Sequence, residues 1–289
     1  MILLTGNRGL VGCEVARQLD LLHIPYFGIN TDNCDITNSN AVQDLFMKKT
    51  IDAVIHTAAY TAVDQAEIER ERAYVINVDG TRNLVEACNT ANAKLAYIST
   101  DYIFSGQGKK PHEIRSVCAP VNWYGQTKLM GEEYVRQMKN GYVVRTSWVY
   151  GQYGHNFVQT MIQKAQTGKP IRVVEDQIGS PTYAEDLVDF LVKLIQTDKY
   201  GIYHATNEGF CSWFDFAQAI FQYIGLDVIC QPIKSDEYPI QAKRPLNSRL
   251  SKKSLSNNGF ARLPSWSDAL YRYINKITKI KGSENHESG

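Results

Sequence analysis

The feature that most constrains this chain is a glycine-rich turn placed almost at its start. Met1–Leu4 is an apolar run that leads straight into Thr5-Gly6-Asn7-Arg8-Gly9-Leu10-Val11-Gly12. A strand that enters such a turn and leaves it as a helix presents free backbone N–H groups at the helix N-terminus, where a pyrophosphate can sit. The spacing is GxxGxxG rather than the GxGxxG of the usual dinucleotide fingerprint. Taken alone, the turn could be a plain strand-to-helix junction. Its position directly behind a first apolar strand points to a nucleotide site.

The rest of the first half repeats that unit. Apolar runs at Met1–Leu4, Ile24–Ile29, Ala53–His56, Leu95–Ser99 and Tyr142–Thr146 alternate with helical periodicity at Gly12–Leu19, Ala41–Lys48, Ala66–Ala91 and Tyr124–Met138. Continuous apolar runs of this length suit strands buried on both faces, as in a parallel sheet built from βαβ units. The expected class is α/β, a Rossmann-type doubly wound parallel sheet over residues 1–150. Beyond it the pattern loosens: helices are expected at Asn156–Thr167, Ala184–Gln196 and Ser212–Ile224, strands at Ile171–Val174 and Ile202–Ala205. Ser212 with Asp215 reads as a capping box and Gly225 as a stop. Residues 151–282 are expected to form mainly a smaller substrate-binding lobe, with some segments returning to the Rossmann domain. Residues 283–289 read as a frayed polar tail.

Composition closes off other classes. At 289 residues, 44% hydrophobic and 21% charged, the chain has the make-up of a packed globular protein. A net charge of +1 gives no electrostatic footprint for nucleic acid or an anionic membrane. No apolar run approaches the roughly 18–20 residues that span a bilayer, and the N-terminus lacks a basic signal-peptide region. A cytoplasmic location is therefore expected, with Cys13, Cys34, Cys88, Cys118, Cys211 and Cys230 reduced. No carboxylate cluster with metal-ligand spacing stands out, which leaves any need for Mg²⁺ open. Oligomeric state is not legible; a homodimer is compatible with everything above.

Two positions bear on the choice of dinucleotide. An NADH-selective site places an acid at the end of the second strand, on the ribose 2′-hydroxyl. Here that segment reads Gly28-Ile29-Asn30-Thr31, with no acid before Asp32. Arg8 sits in the phosphate turn, where a guanidinium can meet a 2′-phosphate. Both favour NADPH, with NADH still admitted.

The chemistry points to Tyr124-Gly125-Gln126-Thr127-Lys128. Residues four apart share a helix face, so the phenol and the ammonium project together. A neighbouring ammonium favours the phenolate, which lowers the phenol pKa and makes Tyr124 a usable general acid. By itself YxxxK is common in helices with no role. Its company is informative: Ser99-Thr100-Asp101 ends a strand at the sheet edge, where a hydroxyl can stabilise a developing alkoxide. Thr57-Ala58-Ala59 ends another strand in small residues that allow close approach of a cofactor. Asn77 interrupts an apolar helix face and is expected to join a hydrogen-bond network.

In order, TGNRGLVG, HTAAYTAVDQAE, INVDGTRN, STDYIFSG, YGQTK, RTSWVYG and DQIGSPTYAEDL resemble the extended short-chain dehydrogenase/reductase superfamily, and within it the dTDP-4-dehydrorhamnose reductases. The resemblance covers roughly residues 1–250. It implies reduction of the 4-keto group of a dTDP-linked 4-keto-6-deoxy sugar, dTDP-4-dehydro-6-deoxy-L-mannose, to dTDP-L-rhamnose. It implies a triad of Thr100, Tyr124 and Lys128, in which Thr100 and Tyr124 hold the carbonyl oxygen, Tyr124 protonates it, and Lys128 holds the nicotinamide ribose. The implied cofactor contacts are Gly6, Asn7, Arg8, Gly9, Leu10, Val11, Gly12, Asn30, Asp35, Ile36, Ala58, Ala59, Tyr60 and Asn77, with Tyr124 and Lys128. The implied substrate contacts are Val63, Asp64, Thr100, Tyr102, Trp148, Gln177 and Arg244, the last toward a diphosphate. Leu10-Val11 stands where the family has Gln-Leu, and Ser105 where it often has Asp.

Two other readings are set against the reductase. One is a related sugar-nucleotide epimerase or 4,6-dehydratase, against which Asp101-Tyr102 counts, since the dehydratases carry Asp-Glu after the threonine. The other is a non-catalytic subunit like the regulatory β subunit of methionine adenosyltransferase, against which the intact triad counts.

Overall fold

The computed structural model describes residues 1–238 and 241–284, side chains to 279. Its centre is a six-stranded, wholly parallel sheet. In chain order its first five strands are β1 (Ile2–Thr5), β2 (Tyr26–Ile29), β3 (Ala53–His56), β4 (Lys94–Thr100) and β5 (Gly141–Thr146). The sixth is Gly201–His204, which pairs with β5, and the order across the sheet is Gly201–His204, β5, β4, β3, β1, β2.

The apolar runs form these strands because both of their faces are covered. Successive side chains point to opposite faces, so Leu4 joins one layer with Val15, Leu19, Leu187 and Leu191. Leu3 joins the other with Val42, Val54, Leu84 and Cys88. The first layer packs the helix Leu10–Leu21 beside Ala184–Ile195. That second helix, the strand Gly201–His204 and the segment carrying Leu255, Phe260 and Leu263 are parts of the later chain that return to the sheet. A third cluster, with Tyr150, Ile171, Phe216, Ile220 and Tyr273, lies outside it. It gathers the helices Phe157–Ala165, Trp213–Ile224 and Trp266–Glu284 around the parallel pair Ile171–Val174 and Cys230–Ile233. Ser212 and Asp215 form their reciprocal cap at 2.9 Å in each direction, and Gly225 ends the helix at φ +69°.

Three expectations change. The helix read over Ala66–Ala91 is broken into Val63–Ala66, Arg70–Tyr74, a π-type stretch Val75–Asp79 and Gly80–Ala91. The wide turn surrounds Asn77, whose side chain is buried and bonded across the fold, and such bulges recur at functional sites. The final helix and the strand Cys230–Ile233 went unread in the sequence. Of the tail, Ser283 and Glu284 continue that helix, and 285–289 lie outside the described residues. Among the described residues no helix is long and apolar enough to cross a membrane. The six cysteines are free thiols.

Candidate active site

The sheet reverses its winding between β1 and β3, and in open α/β sheets that switch point opens a crevice at the carboxyl ends of the strands. The glycine turn fills the near wall. Gly6 has φ +67°, and a Cβ there would lie 2.7 Å from Ala58 N and Cα. A Cβ on Gly12 would lie 2.1 Å from Gly6 O. The turn is thus closed so tightly that only glycine fits at either position, leaving bare backbone to face the crevice.

Two cavities meet over this turn and share Gly9, Thr57 and Ala59. The first, about 340 Å³, is lined by Gly6, Arg8, Gly9, Asn30, Asp35, Ile36, Ala58 and Ala59 among others. The second, about 420 Å³, takes Gly9, Leu10, Val11, Gly12, Ala59, Val63, Thr100, Tyr102, Tyr124, Lys128 and Trp148. Segments far apart in the chain converge there. Arg8 forms an exposed ion pair with Asp32 beside the first cavity.

The helix Trp123–Arg136 carries Tyr124 and Lys128 into the second cavity. Asn122 caps it, its Oδ1 accepting from Gly125 N at 2.8 Å. A Cβ on Gly125 would lie 2.2 Å from Tyr102 O, so this glycine lets the first turn rest on the segment after β4. Thr100, at the end of β4, is close enough to the Tyr124 phenol to favour its ionised form. Burial outweighs that contact and, with Asp101 nearby, pushes the phenol pKa up. The expected lowering by Lys128 is not what dominates: desolvation of the phenol does. Burial also brings the Lys128 ammonium down to about 7, with Glu132 opposing. Its Nζ lies 4.0 Å from the centroid of the Tyr97 ring. Glu132 itself is fully buried, 2.5 Å from Arg145 Nη2 and 2.9 Å from Ser99 Oγ.

Several sequence-named residues fall elsewhere. Asn77 is buried and is not among the residues lining either cavity. Its Nδ2 donates to Thr127 Oγ1 at 2.9 Å and to Tyr60 O at 3.1 Å, while Oδ1 accepts from Tyr60 N at 2.8 Å. The amide is fully engaged in tying the loop after β3 to the Tyr124 helix. Tyr60 serves that contact through its backbone. Asn7 accepts from Asn30 Nδ2 at 3.2 Å through its Oδ1. Gln177 is buried, donating to Ser235 Oγ at 3.0 Å. Asp64 and Arg244, both named for the substrate, bind each other in a bidentate pair at 2.6 and 2.8 Å. The pair holds the Asp64 carboxyl below the usual carboxylate range.

The cavity also takes residues the sequence did not flag. Trp213 stacks on Trp148 with ring centroids 3.7 Å apart, a contact between segments that share no local signal. Thr146 sits opposite Thr100 in the β4–β5 register, so correct strand pairing would have found it. Thr61, Ile98, Ser99, Asp101, Ser147, Val149 and His155 also line the wall. Among the described residues no group of three or more His, Cys, Asp or Glu is placed to hold a metal.

Comparison with known proteins follows the same lines. The RmlD substrate binding domain family matches residues 1–279. A dTDP-4-dehydrorhamnose reductase of Mycolicibacterium smegmatis is 42% identical over 274 residues, covering 93% of this chain and 83% of that protein. The spore coat polysaccharide biosynthesis protein SpsK of Bacillus subtilis is 38% identical, covering 94% and 96%. The crystal structure of the dTDP-4-dehydrorhamnose reductase of Bacillus anthracis in complex with NADP superposes with a TM-score of 0.92 at 42% identity, covering 95% of this chain and 98% of that one. Through the matched family and these relatives, the chain belongs to the RmlD substrate binding domain family, that of the dTDP-4-dehydrorhamnose reductases.

Proposed function

We propose that this chain reduces the 4-keto group of a dTDP-linked 6-deoxyhexose, turning dTDP-4-dehydro-6-deoxy-L-mannose into dTDP-L-rhamnose, with NADPH preferred and NADH accepted. One observation carries the reading: Thr100, Tyr124 and Lys128 line one cavity that continues into a second lined by the glycine turn. The residues fit a dinucleotide, because Gly6 and Gly12 let the turn close on itself without a Cβ and bring its backbone, with the N-terminus of the helix Leu10–Leu21, to the cavity wall. The preference for the 2′-phosphate rests on Arg8 beside the first cavity and on the NADP bound by the B. anthracis relative.

Bound across the two cavities, the reduced dinucleotide supplies a hydride. The chain's residues do the rest. Thr100 and Tyr124 hold the carbonyl oxygen as negative charge develops on it, and Tyr124 hands over its proton. Its raised pKa keeps that proton in place until it is needed. Lys128 holds the nicotinamide ribose. The cluster beyond the sheet, within 151–282, closes the sugar-nucleotide side, with Trp148 on the cavity wall. Asp64 and Arg244 enter as a pair, Arg244 facing a diphosphate only if it leaves Asp64.

The test is dinucleotide oxidation with dTDP-4-keto sugars, NADPH and NADH compared side by side. Oxidation that depends on the keto sugar and favours NADPH is expected. No turnover on any keto sugar would overturn the reading, and a preference for NADH of about tenfold (about 1.4 kcal/mol) would overturn the cofactor assignment.

A further inference from the structure

The wall of the second cavity holds one acid that the reading above leaves without a task. Asp101 follows Thr100, is 2% exposed and lines the cavity beside Tyr124. Its Oδ1 lies 3.0 Å from Thr100 Oγ1. Its Oδ2 is buried with no hydrogen-bond partner among the described residues. A buried polar atom without a partner calls for a reason.

The reason follows from counting protons. A threonine hydroxyl owns one. Thr100 Oγ1 already accepts from the Tyr102 backbone N–H at 3.2 Å. Were Asp101 a carboxylate, the single Thr100 proton would be drawn to it. The hydroxyl would then offer a carbonyl oxygen only lone pairs, which repel. With a proton on Asp101 the bond reverses, the carboxyl donates to Oγ1, and the Thr100 proton is free to point into the cavity.

We propose that Asp101 works as a neutral carboxylic acid whose proton sets the direction of the Thr100 hydroxyl, so that Thr100 donates to the substrate carbonyl oxygen. Asp101 is thus a positioning residue, and the proposal rests on the reductase reading. Its surroundings favour the neutral form. An unpartnered oxygen is tolerated in a buried carboxyl far better than in a buried carboxylate. The groups that act on it directly are Thr100, Ser248, Tyr102 and Tyr124, none of them charged near neutral pH, while the Lys128 ammonium and His155 share the cavity. Ser248, Thr100 and the backbone N–H groups of Asp101 and Tyr102 pull toward the carboxylate, yet burial prevails and brings the pKa up to about 6. A sugar filling the cavity displaces the remaining water and pushes in the same direction. No net proton is consumed at Asp101: it keeps its own while Tyr124 gives one up.

The experiment is the pH profile of kcat for the wild-type enzyme and for Asp101→Asn and Thr100→Val, with dinucleotide binding measured on each. For the wild type, kcat falls as pH rises through the Asp101 pKa, at or above about 6. Asp101→Asn has no proton to lose and an amide N–H to donate. It keeps kcat within about tenfold of wild type at the acid end. Its Asp101 limb is absent, so kcat stays level through that pH and falls only where another group loses its proton. Thr100→Val loses about 10²–10³-fold in kcat and lacks the same limb, because the Asp101 proton has nothing left to orient. A loss beyond about 10²-fold in Asp101→Asn with dinucleotide binding intact would mean that the carboxylate is required, and overturns the proposal. So does a wild-type limb retained in either variant. If Asp101→Asn no longer binds dinucleotide, the limb of Thr100→Val decides alone. Failure of the reductase reading shows separately, as no turnover in the wild type.

Discussion

The two cavities of the cleft are built by opposite means. The dinucleotide side rests on backbone: one turn of consecutive residues, Gly6 to Gly12, closed so tightly that no Cβ fits at Gly6 or Gly12. The sugar side is assembled from side chains distant in sequence. Val63, Tyr124 and Trp213 line it from three separate segments, and Trp148 stacks on Trp213. Local geometry sets the first, and long-range packing sets the second. Changes on the first side should therefore act through cofactor affinity and turn geometry. Those on the second should act through turnover or sugar binding.

The sharpest break in that contrast is Tyr124→Phe. It should lower kcat by about 10²–10⁴-fold while dinucleotide affinity is retained, since only the acid is lost. Steady-state kinetics beside a binding titration would show it; wild-type turnover would remove Tyr124 as the proton donor. Next comes Arg8→Ala, which should weaken NADPH by about 1.5–3 kcal/mol and leave NADH nearly unchanged, because only a charged bond to the 2′-phosphate is removed. Equal losses with both cofactors would contradict the role of Arg8. Gly12→Ala drives a Cβ to 2.1 Å from Gly6 O. It should cost about 1–3 kcal/mol in stability through overpacking, visible as a lower Tm together with weaker dinucleotide binding. The smallest effect belongs to Asp64→Ala. With Asp64 42% exposed, its pair with Arg244 should contribute about 0.2–1 kcal/mol. A drop in Tm beyond that range would make the pair a structural anchor of the sugar side.

The same contrast governs what could be read without coordinates. The parallel sheet was legible because its strands are continuous apolar runs, and Tyr124 with Lys128 because one helical turn joins them. Thr100 was legible because it ends a strand. The unbroken helix over Ala66–Ala91 was a misreading, since Asn77 opens the turn through bonds to Tyr60 and Thr127 that no local pattern reveals. Gln177 and Arg244 looked like free ligands because their partners, Ser235 and Asp64, lie far away in sequence. Lys128 was expected to lower the Tyr124 pKa because helical spacing brings the two together. Burial, which spacing does not report, raises it instead.

Hydride delivery to the carbonyl carbon beside Tyr124 is the central claim, and isotope transfer tests it most directly. With NADPH deuterated at the transferring position of the nicotinamide and a dTDP-4-keto-6-deoxy sugar as acceptor, the sugar product should carry deuterium at C4. The Tyr124→Phe enzyme should form that product at a rate lower by the factor given above. Product without deuterium at C4, or label retained in the dinucleotide while the keto sugar is consumed, would contradict the account.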